Sequence, residues 1–464
     1  MALPSARLRP PAQNAVGFTI SVEHPGTRVP RDFLGLSFEA SALPLIARYG
    51  AGGTMARMLR SLGDGVLRFG GVTSDTQTAW SDARAPRPAW ASTTIDRADL
   101  VGLRRLARAS GWRIALTVGL AHFEPDRAAR EVRAAKKVLG GWLAGVELGN
   151  EPDAYGRHGL RPEPWTLARY DANVSAYRRA IVGIAPGVSL FGPDTSGSLV
   201  FARWGDGYAR VQHPAVLTGH HYPLGCMQVP PPSIARLLSL EVRRAEDESL
   251  TRYMRIAHRT GIPFRLDETG SVACGGVAGI SDTFAATLWA VDYIAHAMRA
   301  GVEGINFEGN PARCGGYTPL CAKSARALAE GVLSARPEWY ALLAARAMVG
   351  ERPVPVARTG DLNVDVLATV GKQRLLHVLI VDDDTQPGDD VMSLRLPESY
   401  GRVSALSLTA TSASARSVRF GPAWWHTTAT GGRAISPSSR FEHGRLTVAV
   451  ARMSALMLTV RATR

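Results

Sequence analysis

The chain has 464 residues, enough for an α/β barrel of about 250 residues and a smaller second domain. Hydrophobic residues make up 45% and charged residues 20%, which excludes a mainly disordered chain. No apolar run approaches the ~18 residues of a membrane-spanning helix. The net charge is +14, and almost all of the basicity is arginine, the only lysines being Lys136, Lys137, Lys323 and Lys372. Such an excess favours an anionic partner such as an acidic polysaccharide, or is a solvated basic surface. Zinc-finger spacing, an RNP motif and basic runs interleaved with aromatics are all missing, which argues against nucleic-acid binding.

Residues 1–15 read as a flexible arm. They lack the apolar stretch of a signal peptide, so the protein is cytoplasmic or its export signal lies outside this sequence. Within 16–30, Gly17–Glu23 reads as a strand able to join a later β-domain. Over 31–348 eight short apolar or β-branched segments recur: Leu34–Glu39, Val66–Gly71, Ile114–Leu120, Gly145–Asn150, Val188–Pro193, Val216–Tyr222, Pro263–Glu268 and Gly304–Glu308. Helical patterns fall between them: Ala98–Ser110, Arg127–Leu139, Thr166–Ile184, Ser233–Arg259, and Ser281–Ala300 opened by a Ser-Asp cap and closed by Gly301. Eight β-α alternations predict an α/β fold, a (β/α)8 barrel, with a doubly wound sheet as the alternative. From 349 to 464 the texture changes to alternating segments separated by Gly, Ser, Asp and Pro, which predicts an appended antiparallel β-sandwich.

Cys226, Cys274, Cys314 and Cys321 form no CxxC pair, so they give little support to a metal site. Their even number fits two disulfides in an exported protein or four thiols in a cytosolic one. His220 and His221 are adjacent on a strand and point to opposite faces, so they do not easily share a metal ion. One is expected in the barrel packing and the other in a site. No metal or organic cofactor is expected.

In a barrel of this kind, chemistry gathers where the strands end at their C-termini. The expected ends here carry Glu39; Arg68, Thr73 and Asp75; Asn150, Glu151 and Asp153; His220, His221 and Tyr222; Asp267 and Glu268; Asn306 and Glu308. Glu151 and Glu268 fall on the fourth and seventh strands. Hydrolysis of a glycosidic bond needs one carboxylic acid for the leaving oxygen and one carboxylate at the anomeric carbon, and two such groups about 5–5.5 Å apart give retention. A lone Glu at a strand end is better read as a cap or salt-bridge partner; the pair, with Asn150 and Tyr222 beside it, reads as catalytic.

The segment Val-Glu-Leu-Gly-Asn-Glu-Pro resembles the Asn-Glu-Pro signature of retaining glycosidases of clan A. The run Asp267–Tyr293, DETGSVACGGVAGISDTFAATLWAVDY, is similar to the nucleophile region of glycoside hydrolase family 79, the heparanase and β-glucuronidase family. LRFGGVTSD, FLGLSFE and GGYTPL resemble that family's motifs at strands 2, 1 and 8, and the likeness extends over nearly the whole chain.

The resemblance implies a retaining β-glycosidase, a β-glucuronidase acting on glucuronides or uronate-containing glycans. Glu151 would be its acid/base and Glu268 its nucleophile. Asn150 would bond the sugar 2-hydroxyl and Tyr222 would orient Glu268. Glu39 and Asp75 would line the −1 subsite. Gly275, Gly276 and Tyr317 would hold the uronate carboxylate. Two departures stand out. Cys274 occupies the start of a loop where the family has a Tyr, and Glu308 stands where relatives often have His. A carboxylate at position 308 would repel a uronate unless paired or turned away. Pairing of Cys226 with Cys274 and of Cys314 with Cys321, one of three connectivities, would brace the two loops. A carbohydrate partner, a monomer and secretion are therefore the expectations. The rivals are a retaining β-glycosidase for another sugar and a non-catalytic acidic-polysaccharide-binding protein.

Overall fold

The computed structural model describes residues 16–462 except 51, 398, 423, 426–432, 435–440 and 443. The expected arm over residues 1–15 lies outside the described residues. The chain divides into two compact units, one formed by Val29–Gly350 with Ser414–Ser417 and the other by the remaining described residues. Nothing in the local sequence marks Ser414–Ser417 as part of the first unit. It is held there by a backbone bond from Phe284 N to Ala415 O and by an ion pair of Arg416 with Asp282 at 2.7 Å.

In the first unit, eight parallel strands form a nearly closed barrel. In chain order they are Leu34–Glu39, Val66–Gly70, Arg113–Val118, Leu143–Leu148, Phe191–Thr195, Val216–His221, Phe264–Thr269 and Gly304–Gly309, called here barrel strands 1 to 8. Each of strands 1 to 4 and 5 to 8 pairs with its chain neighbour, strand 8 pairs with strand 1, and a bridge from Val146 to Leu190 joins strand 4 to the start of strand 5. Every residue of strands 2, 5, 7 and 8 is buried, as expected of strands covered on one side by helices and filled on the other by side chains.

The helices close with ordinary local chemistry. Arg97–Ser110 opens on a reciprocal capping box between Asp96 and Asp99 and ends at Gly111, which adopts φ +84. Two helix expectations need correction. Ser233–Arg259 is not one helix: it breaks between Ile234–Leu237 and Leu240–Thr260, because the Ser239 hydroxyl accepts from Val242 N and caps the second segment. The seventh-strand helix begins at Phe284, not at Ser281. The Ser281 hydroxyl accepts from Val277 N and the Asp282 carboxylate from Gly279 N, so both polar groups are spent on the preceding turn.

The second unit stacks two sheets. One contains Val16–Ile20, Val356–Thr359, Asp389–Arg395 and Arg445–Ala451. The other contains Arg352–Val354, Val364–Val370, Leu376–Asp382, Ser454–Ala462, Tyr400–Thr409 and Arg419–Pro422. Phe18, Met392, Leu394 and Val448 from the first sheet and Val366, Val378 and Leu458 from the second share one apolar core. Asp389–Arg395 and Arg445–Ala451 alternate buried and exposed residues, the pattern of strands with one face on the core. The expectation of a wholly antiparallel domain is corrected at one pairing. Val16–Ile20 runs antiparallel to Val356–Thr359 but parallel to Asp389–Arg395, since a strand brought from the far end of the chain is not constrained by a hairpin. Trp424 and Trp425 pair with Arg433 and Ala434 through their backbones.

Candidate active site

The C-terminal ends of the barrel strands converge on a buried charged cluster centred on Arg68, the middle residue of strand 2. A fully buried guanidinium must find anions, and this one finds several. Its Nε donates to Glu147 at 2.9 Å, Nη1 to Glu268 at 2.7 Å and to the Ser37 hydroxyl at 3.1 Å, and Nη2 to Asp194 and Asn150 at 2.9 Å each. One side chain therefore ties together strands 1, 2, 4, 5 and 7.

Glu151 follows strand 4 in the left-handed conformation, φ 47 and ψ 53, a position that costs a non-glycine residue about 1–3 kcal/mol. Its amide donates to the Asp194 carbonyl at 3.0 Å, which fixes that turn. Its Oε1 lies 2.9 Å from His220 Nδ1, and His220 Nε2 lies 2.8 Å from Asp194. Glu268 is the penultimate residue of strand 7 and is buried. Its Oε2 accepts from Arg68 and its Oε1 accepts from the Tyr222 hydroxyl at 2.7 Å. A carboxylate oxygen of Glu151 and one of Glu268 lie within 4.8 Å of each other, with His220 between them.

Charge in this cluster is ordered by its partners. Burial pushes the Glu268 carboxyl up, but His220, Arg68 and the Tyr222 hydrogen bond outweigh it and hold Glu268 below the ordinary carboxylate range. Burial alone would strip the proton from His220. Glu268, Asp194 and the hydrogen bonds to Asp194 and Glu151 outweigh it and keep the ring protonated. Burial lifts Glu39, and Thr73 counters by donating from its amide at 2.9 Å and its hydroxyl at 2.5 Å.

The other expected residues fall in different places. Asn150 points its side-chain oxygen at Arg68, and its amide donates to Asp75 at 2.9 Å. Asp75 is 1% exposed and accepts also from Leu120 N and Ala121 N. Both Asp75 oxygens are thus engaged by backbone amides, one of them that of Asn150. The Tyr317 ring lies 5.6 Å from that of Tyr222, and its hydroxyl accepts from Gly275 N at 3.0 Å. Gly275 and Gly276 adopt φ +88 and +82, and a Cβ on Gly276 would fall 2.4 Å from Tyr317 N. Only glycine lets this loop reach the strand-8 loop so closely. Disulfides join Cys226 to Cys274 and Cys314 to Cys321, so the loops after strands 6 and 7 are linked and the loop after strand 8 is closed on itself.

Arg68 and His220 were legible as strand-end residues without a stated role, whereas nothing in the sequence singles out Asp194 or Glu147. A signal existed for the first: Arg68 interrupts the otherwise apolar Val66–Gly70. Of the adjacent histidines, His220 faces the cluster while His221 turns outward against the Tyr293 ring at 4.8 Å.

The fold is shared with solved structures. In fold, the chain is similar to a 4-O-α-L-rhamnosyl-β-D-glucuronidase from Fusarium oxysporum, with a TM-score of 0.73 at 20% identity over 96% of this chain and 100% of that one. It is similar also to the GH51 arabinofuranosidase of Xanthomonas axonopodis pv. citri, with a TM-score of 0.72 at 14% identity over 97% of this chain and 100% of that one. The fold is that of clan A glycoside hydrolases. In sequence, the chain is 28% identical over 181 residues to a β-glucuronidase of Aspergillus niger, a match covering 34% of this chain and 33% of that protein. The chain thus spans about a third of the length of the curated relative it matches. No family model matches the chain.

Proposed function

We propose that the protein is a retaining glycoside hydrolase that cleaves β-glucuronides, with Glu268 as nucleophile and Glu151 as acid/base. One observation carries the reading: two carboxylates at the ends of strands 4 and 7 approach within 4.8 Å, the spacing of direct attack rather than of an interposed water. The partial likeness to a β-glucuronidase supports the sugar.

In the first step a Glu268 oxygen forms a bond to the anomeric carbon as the bond to the leaving oxygen breaks. Glu151 gives its proton to that oxygen. In the second step Glu151 takes a proton from water, the water oxygen bonds the anomeric carbon, and the ester to Glu268 breaks. Arg68 and the Tyr222 hydroxyl keep Glu268 ionised and oriented for attack. The Asn150 amide group, fixed through Arg68 and Asp75, serves the sugar 2-hydroxyl. Tyr317 and the Gly275–Gly276 backbone serve the uronate carboxylate. Two disulfides fit a protein exported to an oxidising compartment.

The test is turnover of 4-nitrophenyl β-D-glucuronide by the wild type beside Glu268→Gln. The expected result is turnover in the wild type, loss of roughly 10⁴-fold or more in the variant, and a first-formed product of retained β configuration by NMR. An inverted product, or turnover that survives in Glu268→Gln, would overturn the assignment.

A further inference from the structure

Glu308 has no role in the reaction just described, yet it sits beside its nucleophile. It lies on strand 8 opposite Ser37 of strand 1 and is 5% exposed. The groups around it are Ser37 and Glu39 of strand 1, Arg68 of strand 2, Glu268 of strand 7, and the Tyr222 and Tyr317 hydroxyls of the loops after strands 6 and 8. Its carboxyl is next to the Ser37 hydroxyl, and its Oε2 is buried without a hydrogen-bond partner. Among the described residues no arginine, lysine or histidine forms an ion pair with it. The one guanidinium nearby is committed: the N–H groups of Arg68 go to Glu147, Asp194, Asn150, Ser37 and Glu268.

A buried carboxyl with two other carboxyls for neighbours and no cation of its own is stable only while it keeps its proton. Its burial, Glu268 and Glu39 all act to keep the proton on, and Ser37 and Arg68 do not offset them. Once ionised, it would add a negative charge to the place where a uronate must bring its own.

We propose that Glu308 is a specificity-determining charge gate. As a neutral acid it admits a uronate to the site, and as a carboxylate it rejects a uronate while still admitting an uncharged glycoside. This rests on the glycosidase reading above and specifies the ionic state in which that site takes its substrate. Glu308 acts through the field at the subsite, so it is not part of the bond-making machinery.

The experiment compares kcat/KM for 4-nitrophenyl β-D-glucuronide and 4-nitrophenyl β-D-glucoside across acid to alkaline pH, in wild type and Glu308→Gln. Ionisation of groups other than Glu308 acts alike in the wild type and in Glu308→Gln, so the difference between their two ratio profiles isolates Glu308. The glucuronide-to-glucoside ratio should fall about tenfold or more with rising pH in the wild type. In Glu308→Gln, which keeps the size and the neutrality, it should stay level. Competitive inhibition by free glucuronate and free glucose supplies the same ratio when one glycoside is turned over too slowly. A level ratio in the wild type overturns the proposal without any variant. An equal fall in Glu308→Gln also overturns it, by assigning the effect to Glu39 or another group. Turnover of neither glycoside, with neither sugar inhibiting, refutes the glycosidase reading itself; a glucuronide turned over without the pH-dependent ratio refutes only the gate.

Discussion

Arg68 Nη1 donates to Glu268 Oε2 at 2.7 Å from a position with no solvent exposure, so a cation buried in the barrel wall joins His220 in favouring the ionised form of Glu268. Replacing Arg68 with Met would leave Glu147, Asp194 and Glu268 without their shared cation. The expected loss of stability is about 3–5 kcal/mol, read by denaturant unfolding. Any folded fraction should show its acid limb of kcat/KM moved to higher pH, because removing the cation raises the Glu268 pKa. An unmoved acid limb would count against Glu268 as the ionised nucleophile.

Tyr222 holds the opposite oxygen of Glu268. Tyr222→Phe removes a hydrogen bond to a charged group, worth about 1.5–3 kcal/mol, and keeps the ring. Turnover should fall roughly 10- to 100-fold. The variant should still fold, with a lowered melting temperature, since Glu268 retains Arg68. A variant with unaltered kcat would show that the Tyr222 hydroxyl does not serve the nucleophile.

Glu131 on the helix Pro125–Leu139 is a buried carboxyl pushed by burial to about 8, with Arg127 only partly offsetting the shift. In the unfolded chain it ionises at the ordinary value. Stability is therefore fully present below that value, falls as pH rises toward about 8, and is level above it. Glu131→Gln should stabilise the protein at neutral pH by up to about 3 kcal/mol and leave it unchanged at acid pH. Thermal melts at two pH values check this, and an equal effect at both would assign Glu131 a different environment.

The two disulfides differ in the length of chain they close, 48 residues for Cys226–Cys274 and 7 for Cys314–Cys321. Removing the first should cost about 4 kcal/mol and removing the second about 2 kcal/mol by loop-closure entropy. The Cys226→Ala, Cys274→Ala pair should also raise KM more than it lowers kcat, because the linked loop carries Gly275 and Gly276 rather than Glu151 or Glu268. A change confined to kcat would remove that loop from substrate binding.

Much of the barrel layout is legible in the residue order. The eight apolar segments specify parallel strands through their length and the helices between them. The placement of Glu151 and Glu268 after the fourth and seventh follows from counting. Boundaries were less legible. Ser281 and Asp282 have the chemistry of a helix cap, and Ser239 interrupts an unbroken amphipathic pattern. In each case a local hydrogen bond chose the outcome, and the sequence offers more than one acceptor for the same amides.

The sequence by itself determined the alternation of strands and helices, the change of texture near residue 350, the two carboxylates at strand ends and the glycine pair of the strand-7 loop. These are properties of neighbouring residues, fixed by side-chain periodicity and backbone freedom. The tertiary structure alone decided that Arg68 serves Glu147, Asp194 and Glu268 together, that the Asn150 amide meets the Asp75 carboxylate, and that Glu308 sits among carboxyls with no ion-pair partner among the described residues. Charge and burial in a barrel depend on which strand ends meet across it, and residues hundreds of positions apart in the chain meet there only after folding.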